Sequence, residues 1–246
     1  MKICRICKKE KAQKVGEYDS YEVFDCFNCG CRFVFREKQI FDLYHKDPNS
    51  SYSFQRSLAD KAYDCYKNKN LKELKKILFK SPKFKYIIKN IKDKDKNNKI
   101  LEVGCSYGYL TAYFLLSGFN IIGVDISQEA VRNSINNFGN HFQTELSGLG
   151  KFDIIYHTGT IGCVDDPITF TNKLLAMLNP GGELLFNAPD KKALIKNIWI
   201  NTFPPDLITW FDNNFWFKFF PGNLKIKINQ NFFRRPFGSF VKISKL

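Results

Sequence analysis

From Ile100 onward the chain repeats one pattern, and that pattern narrows its fold more than any other feature. Short apolar runs of strand length, "KILEV", "NIIGVD", "FDIIYH" and "GELLFNAP", alternate with stretches of helical character at 108–117, 127–137 and 167–178. The last of these runs into "NPGG", a strong helix stop. Regular alternation of strand and helix builds a parallel sheet covered by helices on both faces, so the expectation is a doubly wound α/β domain over 99–246. Near the C-terminus "LKIKI" and "FVKIS", joined by a Phe/Arg-rich stretch, read as two closing strands.

Two further regions precede this domain. Residues 1–38 hold five of the eight cysteines together with short alternating runs, "YEVFDC" and "CRFVF", that suit small strands. Residues 39–98 are polar, Lys/Asn-rich and helical in period, with Leu71, Leu74, Ile77 and Leu78 on one apolar face, and read as a helical connector. The segment "KDKDKNNK" is an exposed turn or linker.

Cys4-x2-Cys7 and Cys26-x2-Cys29 each present two thiols from a tight turn, and two such turns supply the tetrahedral four-sulfur shell that zinc prefers. Gly30 suits the second knuckle. Every position of this shell is a cysteine, which leaves none for a water, so a zinc here is expected to hold a fold and not to catalyse. Cys31 sits too close to Cys29 to join easily, and Cys65, Cys105 and Cys163 are isolated.

The strand ends carry the chemistry. In "ILEVGCSYG" a strand delivers the chain to Gly104 and a helix begins near Gly108. Asp125 ends the next strand, placed to accept hydrogen bonds from ribose hydroxyls. A dinucleotide fingerprint needs three glycines, but the corresponding positions are Gly104, Ser106 and Tyr109. Glu102, two residues before the loop, is unfriendly to a pyrophosphate. Two carboxylates without a phosphate cradle suit a cationic, ribose-bearing ligand, a description that S-adenosylmethionine fits.

On these residues, 99–190 resemble the class I S-adenosylmethionine-dependent methyltransferases. "LEVGCSYGYLTAYFLLSGFNIIGVDIS" is similar to their first two motifs, and "FDIIYHTGTIGCVDDPITFTNKLLAMLNPGGELLFNAP" to their fourth strand, following helix and turn. The resemblance implies a seven-stranded Rossmann-like sheet. It also implies cofactor contacts from Glu102, Gly104, Cys105, Ser106, Tyr107, Gly108, Asp125 and Ile126, with His157, Thr158 and Gly159 beneath the cofactor. A narrower resemblance is to bacterial methyltransferases with an N-terminal four-cysteine zinc module, often encoded with capsule or other surface-polysaccharide genes. It implies a small-molecule acceptor such as a sugar, nucleotide-sugar or glycan precursor. Many of those enzymes carry a Glu-His pair after the fourth strand and a "PPHH" or "PPDH" segment. Here the pair's positions are Gly162 and Cys163, and "FPPDLITWF" has Leu207 where that family has histidine.

With the usual base missing, the candidates for moving a proton are His157, at the end of the fourth strand, and Asp206. The small residues Gly162 and Cys163 are expected to leave room for an acceptor beside them. The aromatic run "WFDNNFWFKFF" is core by default, with a position near the site mouth also expected. Composition adds two further expectations. No run approaches 18 uncharged apolar residues and the first 30 lack a signal-peptide core, so a cytoplasmic protein without membrane insertion is expected. The net charge of +14 invites an RNA methyltransferase reading, but 31 of 38 basic residues are lysine, and a solvated lysine-coated surface explains that as well. A degenerate domain that binds the cofactor without catalysis is the third alternative.

Overall fold

The computed structural model of the chain describes residues 1–18, 20–35, 53–191, 207–220, 222–230 and 238–246. Seven strands form one mixed sheet in the order β10-β11-β8-β7-β4-β5-β6. They are β4 (Lys99–Val103), β5 (Asn120–Val124), β6 (Phe142–Gln143), β7 (Phe152–His157), β8 (Leu178–Ala188), β10 (Leu224–Gln230) and β11 (Ser239–Lys245). The pairs β4–β5, β4–β7 and β5–β6 are parallel, whereas β10 and β11 form an antiparallel pair at one edge. This is the expected seven-stranded, Rossmann-like sheet. The "NPGG" stop differs in detail: the helix ends at Ala176, and "NPGG" already lies within β8, with Gly181 in the left-handed region (φ +73°).

The chain divides into two compact units. One comprises Ile40–Thr158 and Met177–Glu183. It holds β4 to β7 and the helices α1 (Ser53–Lys67), α2 (Leu71–Leu78), α3 (Pro82–Ile91), α4 (Tyr109–Leu116) and α5 (Gln128–Phe138). Helix α2 starts where Asn70 accepts a hydrogen bond from the Glu73 N–H, and α5 where Ser127 accepts one from Ala130. Of the apolar face the periodicity marks on α2, Leu74 and Leu78 are buried and Leu71 and Ile77 half-buried, and α3 buries Phe84, Ile87, Ile88 and Ile91. The sequence of α4, "YLTAYFLL", has no polar face, and its residues from Tyr109 to Phe114 are all buried.

The other unit comprises Met1–Gln39, Gly159–Ala176 and Leu184–Leu246. Strands β1 (Ala12–Tyr18), β2 (Tyr21–Cys26) and β3 (Arg32–Val34) form an antiparallel meander, and β9 (Thr209–Trp210) extends it as a fourth strand. Helices α6 (Pro167–Ala176) and α7 (Asn214–Phe219) complete the unit's named helices. The aromatic run is largely core: Trp210, Phe211, Phe215, Trp216 and Phe220 are buried, and Phe186 meets Trp216 edge-on at 4.8 Å. Among the described residues no helix is long and apolar enough to cross a membrane.

Candidate functional site

Strand register brings the candidate loops to one edge. Val103 pairs with Val124 on one side and with His157 on the other, so the segments starting at Gly104, Asp125 and Thr158 all leave from the carboxyl ends of adjacent parallel strands. That edge is where open α/β sheets bind ligands. The first loop turns through three left-handed residues, Gly104 (φ +72°), Ser106 (φ +49°) and Gly108 (φ +69°). Glycine at 108 is required twice over, because a Cβ there would also lie 2.5 Å from the Phe142 ring.

Asp125 organises the loop. Its Oδ2 accepts the Ser106 N–H at 2.7 Å and its Oδ1 accepts the Ser127 N–H at 3.0 Å. Beside it, Ile126 is 65% exposed, an apolar side chain turned to solvent at the mouth of the loop.

The remaining expected contacts divide by burial. Cys105 and Tyr107 are buried, and burial raises the Cys105 thiol well above its usual range. Glu102 is buried at 2% exposure. Its Oε2 accepts hydroxyl hydrogen bonds from Thr111 on α4 and, at 3.0 Å, from Tyr156 on β7. Burial pushes its pKa up to about 8, against the lowering effect of these two hydroxyls. Through these two hydroxyls the Glu102 carboxyl ties β4 to α4 and β7.

His157 is 1% exposed, and burial lowers its pKa to about 3, leaving a neutral imidazole with little affinity for a proton at pH 7. Thr158 and Gly159 are half-buried. In the other unit the Gly159 N–H donates to Asn187 Oδ1 at 2.9 Å. Asp206, the second candidate base, lies outside the described residues. The space expected at Gly162 is taken. A Cβ there would lie 2.4 Å from Leu207 and 2.7 Å from Pro189, so this glycine permits close packing of its own unit.

Sequence reading missed two residues on α1. Ser106 Oγ donates to Gln55 Oε1 at 2.5 Å, and the Arg56 guanidinium donates to the Tyr107 hydroxyl. Both come from the helical connector, and neither belongs to a motif that would mark it.

The four cysteines meet as their spacing requires. The Sγ atoms of Cys4, Cys7, Cys26 and Cys29 all lie within 4.8 Å of one another, with Cys4–Cys29 at 3.8 Å and Cys7–Cys26 at 3.6 Å. A tetrahedron of sulfurs around zinc has edges of about 3.8 Å. Disulfides need about 2 Å, and all eight cysteines are free thiols. Polar hydrogens point at the sulfurs, with Asn28 Nδ2 at 3.3 Å from Cys7 and the Cys29 N–H at 3.5 Å from Cys26. Lys8 and Gly30 take left-handed φ values of 58° and 76° in the two knuckles. Cys31 points instead to the Cys29 carbonyl and stays outside the cluster. The donor set therefore fits a structural zinc.

A glycine loop and a strand-end acid at the carboxyl ends of adjacent parallel strands belong to a Rossmann-like α/β fold. Residues 74–233 match the family described as "Methyltransferase domain", and the chain belongs to that family. Two curated relatives are tRNA U34 carboxymethyltransferases. The one from Alteromonas mediterranea is 28% identical over 144 residues, covering 47% of this chain and 43% of the relative. The one from Nautilia profundicola is 35% identical over 105 residues, covering 37% of this chain and 34% of the relative. The chain thus spans less than half the length of the curated relatives it matches. Among solved structures, an S-adenosylmethionine-dependent methyltransferase from Clostridium acetobutylicum superposes with a TM-score of 0.53 at 17% identity. It covers 66% of this chain and 90% of its own, a likeness of fold.

Proposed function

We propose that the chain transfers a methyl group from S-adenosylmethionine to an RNA. The observation that carries the cofactor reading is Asp125, a carboxylate at the end of β5 fixed by two backbone N–H groups of the surrounding turns, where a strand-end acid of this kind would take the hydroxyls of a ribose. Gly104, Ser106 and Gly108 let the backbone approach the ligand, and exposed Ile126 is apolar surface that an adenine would cover. Thr158 and Gly159 continue from the neighbouring strand end. In the transfer, the S–CH3 bond of the sulfonium breaks as the acceptor–CH3 bond forms, leaving a thioether, and the acceptor's proton passes to solvent or to a base. Much of the acceleration of such an in-line displacement comes from positioning. The neutral, buried His157 is poorly suited to be that base, and Asp206 is the other candidate.

What supports RNA as acceptor is the named activity of the curated relatives together with the basic chain. A zinc held by Cys4, Cys7, Cys26 and Cys29 would cross-link the two knuckles and so stiffen β1–β3. Two measurements test the reading. Asp125→Ala should weaken binding of S-adenosylhomocysteine by roughly 2–3 kcal/mol, the worth of charge-assisted hydrogen bonds; unchanged calorimetric affinity would mean the ribose lies elsewhere. Wild-type protein given methyl-labelled cofactor should label bulk tRNA. Label appearing in a nucleotide-sugar and not in tRNA would restore the glycan acceptor.

A further inference from the structure

The positive charge of this chain is concentrated. Residues 67–99 contain thirteen lysines and no arginine, against the three acids Glu73, Asp93 and Asp95. This segment of 33 residues holds a net +10 of the chain's +14, leaving +4 for the other 213. A coding bias toward lysine would spread the residue along the chain, and the concentration on one helical pair needs another cause.

We propose that the exposed faces of α2 and α3 are a docking surface for the phosphate backbone of RNA. The proposal rests on the RNA reading of the acceptor and adds where that RNA is held. On α2, Lys72 and Lys76 stand four residues apart on the side opposite buried Leu74 and Leu78, and Lys80 follows at its end. On α3, Lys85 and Lys89 repeat the spacing opposite Ile87 and Ile91. All five are exposed. Such rows place a cation about every 6 Å along a helix. Lys76 lies 3.5 Å from Glu73 and Lys85 5.9 Å from the Phe79 ring centre, but like charges at this spacing otherwise work against their own helix.

The chemistry of the rows selects the partner. The large apolar side chains of this segment are buried or half-buried and none is exposed, so the apolar face with which an amphipathic helix enters a membrane is already covered. Lysine without arginine offers point charges and no planar forks, which suits phosphate oxygens rather than base edges. The surface should therefore orient RNA without reading its sequence.

The test compares wild type with a variant in which Lys72, Lys76, Lys80, Lys85 and Lys89 are all replaced by Gln. A control replaces five exposed lysines elsewhere: Lys9, Lys11, Lys173, Lys225 and Lys227. Fluorescently labelled bulk tRNA is titrated at several salt concentrations, with S-adenosylhomocysteine binding as the check that each variant is folded. The surface variant should lose at least ~10-fold in affinity at 150 mM salt, and its log–log salt slope should shrink by about 3–4, at roughly 0.7 per lost phosphate contact. The control should stay within about one unit of wild type. If surface variant and control behave alike, the docking surface is wrong, while tRNA labelling by wild type would keep the acceptor reading. If the slope shrinks as expected but wild type labels only small molecules, the surface stands and the acceptor reading falls. Binding of wild type to phosphatidylserine vesicles but not to tRNA would overturn the surface in favour of a membrane.

Discussion

Glu102 allows the most quantitative prediction. In the unfolded chain its carboxyl titrates near 4.5, and in the folded protein burial moves it to about 8. Below pH 4.5 both states hold the proton and the group contributes nothing to stability. Between the two values the unfolded chain releases a proton that the folded protein keeps, so the unfolded state binds fewer protons and stability falls as pH rises. At 1.36 kcal/mol per unit, the full cost above pH 8 is about 5 kcal/mol, and the change between pH 5 and pH 8 is about 3.5 kcal/mol. Replacing Glu102 by Gln removes the titration. It keeps one oxygen to accept the hydroxyls of Thr111 and Tyr156, both of which now bond the same Oε2.

Denaturant unfolding of wild type and E102Q across pH 5–8 isolates the effect, because every other titrating group is common to both proteins. Wild type should lose about 3.5 kcal/mol relative to the variant over that range. A difference that moves by less than about 1 kcal/mol would mean that Glu102 titrates as an ordinary carboxylate and that its placement in the core is wrong. Cofactor-product affinity supplies a second readout. A staple beneath the loop predicts an E102Q dissociation constant close to wild type at pH 7, whereas a loss beyond about tenfold would make Glu102 a direct contact.

Three other outcomes follow from the same structure. Gly123→Ala should destabilise by about 1–3 kcal/mol in denaturant unfolding, because its Cβ would lie 2.7 Å from Phe142 and 3.0 Å from Cys105 Sγ within a packed sheet face. Purified protein should carry one equivalent of zinc by elemental analysis, and Cys26→Ser or prolonged chelation should lower both metal content and Tm; less than half an equivalent in carefully purified protein counts against the site. His157→Asn should leave the pH dependence of turnover unchanged, since an imidazole whose pKa is about 3 does not titrate near neutrality. Loss of one limb of the pH profile would identify it as the base after all.

What was legible in the sequence was what is local. "KILEV" is β4 and "FDIIYH" is β7, residue for residue, because an apolar run between turn signals carries its own burial requirement. The cysteine pairs were legible for a similar reason: a thiol pair spaced by two residues has few other uses. The partners that give each residue its environment were not legible. Glu102 could be seen before Gly104, but its character depends on Tyr156, its register neighbour 54 residues away, and on Thr111 closing over it. The two-residue strand β9 carries no pattern of its own and exists because β3 offers Arg32 and Phe33 as pairing partners. In the sequence Gly162 suggests room for an acceptor because a missing side chain looks like space, whereas Leu207 and Pro189 occupy it.

The charge is a different case, since everything needed was in the sequence and only the averaging hid it. A total of +14 divided over 246 residues describes a soluble surface, and the excess of lysine over arginine makes that description sufficient. The same total with +10 on residues 67–99 describes a patch, because exposed charges interact over about 8–10 Å and neighbouring lysines on one helix face lie inside that distance. Helix geometry then sorts the segment: leucines and isoleucines at three- and four-residue steps go inward, which leaves the lysines between them no choice but outward. A polyanion brought to such a face gains by releasing its own counterions, a gain proportional to the number of cations presented together and absent when the same number are dispersed. Where the lysines sit, rather than how many there are, is what bears on the partner.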